Sequence, residues 1–321
     1  MTIICSGSLA IDRLYNFPGS FADNIIADKI EVMNVCFVVD KSSTAFGGTA
    51  GNIVYNLSLL GEEPLTVACL GDDADGRNYL GRIQELGLPT EGVKVLTGQS
   101  TAGCTITTDV NSNQITCFHL GVMSVPSGFD PSALPQPYNK HLAIVSPGGP
   151  EEMKSLCREY GRLGFRYILD PGQQIPMFSG EELLAMLSNS SLLICNEYEF
   201  ELFKEKSGLD TDGLFSHTEA IIVTKGPDGS DLIVPGRGSQ HIDAVPVARA
   251  ANPTGAGDAY RAGLLKALGK ERPEHLITAC RLGATVAAFC VEAEGGPQEH
   301  TFTPAKVAGR HAAFFKEQLA L

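Results

Sequence analysis

Asn252-Pro253-Thr254-Gly255-Ala256-Gly257-Asp258 runs directly into an apolar-periodic segment carried by Tyr260, Gly263, Leu264, Leu265 and Leu268. That spacing predicts a helix over 256–268, closed by Gly269. Small residues at 255, 256 and 257 let a backbone turn approach a ligand where a Cβ would clash. Because the turn opens a helix, its free N–H groups and the helix dipole face that ligand, which makes the turn an anion site. Asp258 then stands at the helix start, where a carboxylate can take the proton of a hydroxyl attacking phosphorus. An aspartate pKa of about 3.9 is no obstacle, since the base takes the proton only as the P–O bond forms. The plainer alternative is a helix N-terminus with Asp258 as a stabilising first-turn acid.

Outward from this stretch the chain alternates strand and helix. Apolar strand-like runs fall at 2–7, 65–70, 142–146, 166–170, 191–195 and 219–224. Helical periodicity covers 50–60, 76–86, 150–163 and 180–187, then 197–206, 273–291 and 304–318, with Gly61, Gly87 and Gly164 just past three of the ends. Short apolar strands between amphipathic helices predict an α/β fold, a mostly parallel sheet covered by helices on both faces. Residues 1–11, 47–100 and 121–321 form this core. Two inserts break the rhythm: 12–46, with strand-like pieces and no convincing helix, and 101–120, which alternates around Asp109-Val110-Asn111-Ser112-Asn113 as a hairpin would. Paired together, they would make a small β lid over the mouth of the sheet.

At 321 residues the chain is long enough for a large core, with 43% apolar and 19% charged residues. The net charge of −13 and the lack of any Lys/Arg run exclude a phosphate-tracking nucleic-acid surface. Nine cysteines, an odd number without a C-x-x-C pair, argue against zinc or a disulfide framework and for a reducing cytoplasm. No signal peptide opens the chain, and no stretch approaches the ~20 apolar residues of a membrane helix. A P-loop motif is absent, as is a dinucleotide-binding G-x-G-x-x-G after the first strand. The seven histidines lack metal-ligand spacing, and Gly71-Asp72-Asp73-Ala74-Asp75-Gly76 reads as a βα turn with capping acids rather than a calcium loop.

Four other stretches bear on chemistry. Gly47-Gly48-Thr49-Ala50-Gly51-Asn52 opens a helix; its glycines suit a hinge and close approach to a sugar, and Asn52 offers donor and acceptor to hydroxyls. The same residues serve equally as turn and cap. Asp12, after the first strand, is placed to accept from two vicinal hydroxyls, or to cap a turn. Asn196-Glu197-Tyr198-Glu199 follows a strand, where Glu199 could hold Mg²⁺ through waters. Val223-Thr224-Lys225-Gly226-Pro227-Asp228-Gly229 ends a strand and starts a hairpin; Thr224 and Gly226 are candidate nucleotide contacts, while Lys225 reads as a turn residue.

Thr254-Gly255-Ala256-Gly257-Asp258 resembles the C-terminal signature of the ribokinase-like (PfkB) family of carbohydrate and nucleoside kinases. Gly47-Gly48 through Asn52 is similar to that family's N-terminal motif, and Asn196 to Glu199 to its N-x-x-E, so the resemblance spans nearly the whole chain. It implies a ribokinase-like fold, ATP and Mg²⁺, with Asp258 as catalytic base and Gly255, Ala256 and Gly257 as the anion hole. It further implies Asp12, Gly47, Gly48 and Asn52 on the substrate, and Asn196, Thr224, Gly226 and Gly229 on the nucleotide, with Glu199 toward the metal. The family commonly has Asp where this chain has Asn252, near the loop that holds a monovalent cation in some members, which leaves such a cation open. Phe37, Phe46 and Asp170-Pro171-Gly172-Gln173-Gln174 resemble bacterial adenosine kinase-like members, and lid aromatics could stack a base. Adenosine kinase is the leading expectation, with ribokinase or another sugar kinase, a kinase for a different nucleoside, and a non-catalytic adenosine or sugar sensor as alternatives. The expected partners are small molecules only, on a monomer or a homodimer joined through the lid.

Overall fold

Short apolar runs alternate with segments of about 3.6-residue periodicity along the chain, and the computed structural model shows the elements that result. It describes residues 1–111, 113–270, 275–319 and 321. The chain opens with β1 (Ile3–Ser6), β2 (Ala10–Asn16), α1 (Phe21–Asn24), β3 (Lys41–Gly47) and α2 (Thr49–Leu59). It continues through β4 (Leu65–Gly71), α3 (Ala74–Glu85), β5 (Val93–Leu96), β6 (Ala102–Thr108) and β7 (Gln114–His119). Next come β8 (Leu142–Val145), α4 (Pro150–Leu163), β9 (Arg166–Leu169), α5 (Gly180–Leu187), β10 (Leu192–Asn196) and α6 (Glu197–Ser207). The last third holds α7 (Thr211–Leu214), β11 (Ile221–Thr224), β12 (Ser230–Val234) and β13 (Gly238–Ile242). It closes with α8 (Ala256–Lys270), α9 (Leu276–Val291) and α10 (Pro304–Phe315).

Nine strands form the main sheet in the order β13-β12-β11-β10-β9-β8-β1-β4-β5. The seven from β11 to β5 run parallel, and β12 and β13 add an antiparallel edge hairpin. Successive strand residues point to opposite faces, so the apolar runs split between two cores. Cys5, Ile144, Ile194 and Ile222 face one side, with Ile53 of α2 and Leu264 of α8. Ile4, Val145, Leu193 and Val223 face the other, with Leu156 of α4 and Leu183 of α5. Both faces being covered is why these strands read as unbroken hydrophobic runs rather than alternating ones. The ribokinase-like α/β fold expected from the sequence is present.

A second sheet has the order β3-β2-β6-β7, with β2 antiparallel to β3 and parallel to β6. Every residue of β7 is exposed. Arg13 of β2 and Asp75 of α3 tie this sheet to the main body by an ion pair.

Some expectations need correction. Residues 12–46 do contain helix: α1, whose Phe21 is buried against Phe17 and Phe37, and a 3-10 stretch over Ala27–Val32. Asp12 does not end a strand of the main sheet but lies within β2. Gly269 does not stop α8, which runs on to Lys270. The helix expected over 273–291 begins at Leu276, residues 273 and 274 lying outside the described set. Ser112 of the expected turn lies outside it too. All nine cysteines are free thiols, and among the described residues no helix is long and apolar enough to cross a membrane.

Candidate active site

A cleft of about 970 Å³ opens at the carboxyl ends of the parallel strands and extends under the second sheet. Ser8 beyond β1, Pro147 beyond β8, Asp170 beyond β9, Asn196 at the end of β10 and Thr224 at the end of β11 line it. Ligands of open α/β sheets bind outside these strand ends.

The turn before α8 forms one wall, with Gly255, Ala256, Gly257 and Asp258 all on the cleft. Gly255 has φ +83°, and a Cβ there would stand 2.7 Å from Cβ of Pro297, so both backbone and space require glycine. Asn252 closes the turn: its Oδ1 accepts from the Thr254 N–H at 2.9 Å, and its Nδ2 donates to the Gly295 carbonyl at 3.1 Å. Asp258 keeps a window onto the cleft, but protein crowds its other sides, and burial pushes its carboxyl up to about 7. Arg261 and the Asn52 hydrogen bond oppose that rise; Asp170 and Glu199 add to it. The ordinary aspartate value expected from sequence therefore does not hold here, and the carboxyl sits near neutrality, the range that suits a general base.

Arg261, one helical turn after Asp258, was not singled out by sequence. Its guanidinium forks onto buried Asp170, through Nε to Oδ2 and through Nη2 to Oδ1 at 2.6 Å. Its Nη1 donates to the Gly257 carbonyl at 3.0 Å, bracing the glycine turn from behind.

At the other end Asp12 projects from β2 into the cleft, and burial pushes its carboxyl up to about 6. Gly47 does not line the cleft; a Cβ there would lie 2.3 Å from Asp12 Oδ2, so it makes room for that carboxylate. Gly48 precedes α2 with φ +84° and ψ 140°, and a Cβ would meet the Ser8 carbonyl oxygen at 2.5 Å. Gly48→Ala should therefore cost at least about 1–2 kcal/mol from the disallowed backbone alone, read as a lower urea midpoint with an unchanged slope. An unaltered midpoint would mean that the turn rearranges freely. Asn52 lines the cleft yet spends its Nδ2 on Asp258 Oδ2 at 2.8 Å.

Neither expected aromatic faces the cleft. Phe37 packs with Phe17 and Phe21, and Phe46 packs edge-on to Tyr79 under the Arg82 guanidinium. Phe118 of β7 and Leu120 and Met123 just after it line the cleft instead, a patch that sequence reasoning missed because nothing local shows which way this segment faces.

Asn196 and Glu199 reach the cleft as a capping box for α6: Asn196 Oδ1 accepts from the Glu199 N–H at 2.8 Å, and Glu199 Oε2 accepts from the Asn196 N–H at 2.9 Å. Burial raises the Glu199 carboxyl, and Oε1 is left out of the box. Among the described residues no group of three His, Cys, Asp or Glu could cage a metal. A single carboxylate on the cleft fits Mg²⁺, which keeps most of its waters. Thr224, Gly226 and Gly229 also line the cleft, whereas Lys225 turns away to Asp231 at 2.7 Å.

The sequence model of the pfkB family carbohydrate kinase matches residues 27–299. A nucleoside kinase from Methanocaldococcus jannaschii is 28% identical over 295 residues, 91% of each chain. Another from Methanothermobacter thermautotrophicus is 30% identical over 272 residues, 84% of this chain and 85% of its own. The structure of Burkholderia thailandensis nucleoside kinase in complex with inosine superposes with a TM-score of 0.84 at 34% identity, covering 99% of both chains. The chain belongs to the pfkB family of carbohydrate kinases. It is an ATP-dependent kinase with a hydroxyl group as acceptor.

Proposed function

We propose that the acceptor is a ribonucleoside, phosphorylated on its primary hydroxyl, with adenosine the first candidate and inosine beside it. The observation that carries this reading is the apolar patch of Phe118, Leu120 and Met123, in the same cleft as Asp12. A nucleobase would cover that patch; a free pentose would leave it bare. The kinship to nucleoside kinases, one of them seen with inosine, supports it.

In this reading Asp12 accepts from the ribose diol and the second sheet serves as a lid that excludes water. The turn at 255–257 receives the γ-phosphoryl charge on its N–H groups, and Thr224, Gly226 and Gly229 frame the rest of ATP. Asp258 takes the acceptor proton as that oxygen bonds to phosphorus and the bond to ADP breaks. Glu199 would hold Mg²⁺ through its waters, and the bound ion would neutralise phosphate charge.

A panel of adenosine, inosine, ribose and fructose with ATP and Mg²⁺ tests the reading. Turnover of the nucleosides and little of the sugars is expected; efficient phosphorylation of ribose alone would make the chain a sugar kinase. Asp12 sharpens the test. Each charge-assisted hydrogen bond to a diol is worth about 1.5–3 kcal/mol, so a 2′-deoxynucleoside should bind at least about tenfold more weakly. Asp12→Ala should abolish this discrimination. Equal discrimination in both proteins would put the ribose elsewhere.

A further inference from the structure

Asn52 faces Asp258 on one side and Gln298 on the other. Its Nδ2 donates to Asp258 Oδ2 at 2.8 Å, while its Oδ1 accepts from Gln298 Nε2 at 3.2 Å. Gln298 Nε2 also donates to the Tyr79 hydroxyl at 2.8 Å, and that hydroxyl donates to the Gly47 carbonyl at 2.7 Å. Gln298 and Tyr79 are buried, at 5% and 1% exposure, so water is not at hand to replace a lost partner.

The direction of this chain is not arbitrary. An amide has a donor end and an acceptor end, and turning it over exchanges them. Asn52 can therefore give Asp258 an N–H or confront it with a carbonyl oxygen, and what faces its far end decides which. The Gly47 carbonyl can only accept, so it takes the single proton of Tyr79. The Tyr79 lone pairs then select the NH₂ end of Gln298, and that NH₂ selects the oxygen of Asn52. Only the N–H of Asn52 is left for Asp258.

We propose that Tyr79 and Gln298 are positioning residues: a directional hydrogen-bond chain from the Gly47 carbonyl holds the Asn52 N–H on the Asp258 carboxylate and ties the base to the end of β3. The proposal rests on Asp258 as the base. Other groups facing Asp258 are Arg261 on its own helix, Asp170 after β9, Glu199 of α6, Cys290 of α9 and Tyr79 of α3. Among the described residues Asn52 is the side chain that donates a hydrogen bond to it. Losing that donor makes the charged form of Asp258 less favourable.

Gln298→Leu should move the acid limb of kcat/KM upward, so that activity at pH 6.5 falls about fivefold or more. At pH 9 the variant should lie within about twofold of wild type, with the KM for ATP unchanged. Gln298→Glu should shift the limb further, because a carboxylate would draw the Asn52 N–H to itself. Tyr79→Phe removes one oxygen and should shift it in the same direction by less, which keeps the test open should a Gln298 variant misfold. In an Asn52→Ala background Gln298→Leu should add nothing. A pH-independent loss in the Gln298 and Tyr79 variants, or an unmoved limb, would overturn the positioning role. The assays use whichever acceptor the wild type phosphorylates, so failure of the nucleoside reading leaves this test intact. Wild-type turnover in Asp258→Asn would remove the base itself.

Discussion

Asp258→Asn should lower kcat by between about 100-fold and 10,000-fold while ATP and acceptor still bind. The side chain keeps its shape and its Oδ can still accept from Asn52, so what is lost is the ability to take a proton. The same substitution should stabilise the fold above neutral pH. Burial raises the Asp258 carboxyl to about 7 in the native state from an ordinary value near 3.8. With a raised folded pKa, its stabilising contribution is full below the unfolded value and is lost as pH rises through 7; a neutral Asn has nothing to lose. The melting temperature of Asp258→Asn should thus exceed that of wild type at pH 8. In wild type, kcat/KM should fall about tenfold per unit below pH 7 as the base is protonated. A steeper fall is expected below about pH 6, where Asp12 also gains a proton, and Asp12→Asn should lack that second break. Near-normal turnover in Asp258→Asn would mean that another group removes the proton.

What could be read in advance was local. The glycine turn, the Asp at the head of α8 and the apolar strands declare themselves within a few residues, because steric freedom, helix dipole and pleat act over that range. The Asn196 to Glu199 stretch was read only for nucleotide and metal, although the same two residues are spaced as the capping box that they form. What stayed hidden was set by contacts far apart in sequence. Asn52 looked like a ligand for sugar hydroxyls because nothing near it announces Asp258 or Gln298, more than two hundred residues away. The charge state of Asp258 depends on how completely the fold encloses it. The aromatic patch was misassigned for a related reason: Phe37 and Phe46 were the conspicuous residues, but short helix α1 and the Tyr79 side chain claim them.

Arg261→Met should destabilise the protein by about 3–5 kcal/mol, the usual result of stripping one member from a buried ion pair. Asp170 is 1% exposed and Arg261 9%, and the guanidinium meets the carboxylate with two N–H groups in one plane. Without Arg261 the carboxylate stays buried with no countercharge and must take up a proton or admit water. Arg261→Lys should recover little, since one ammonium cannot span both carboxylate oxygens and also reach the Gly257 carbonyl. The double variant Arg261→Met with Asp170→Asn should regain most of the loss, because no buried charge then remains. Activity should not return with stability. Arg261 is the cation beside Asp258 that favours its charged form, and its Nη1 braces the carbonyl of the glycine turn. The refolded double variant should keep a raised acid limb and a weakened turnover. Urea unfolding of the two single variants and the double variant, paired with kcat/KM against pH, separates the two roles. A loss below about 1 kcal/mol in Arg261→Met, the range of an exposed pair, would show that water already reaches this bridge. In that case its charge would be too well screened to tune the base.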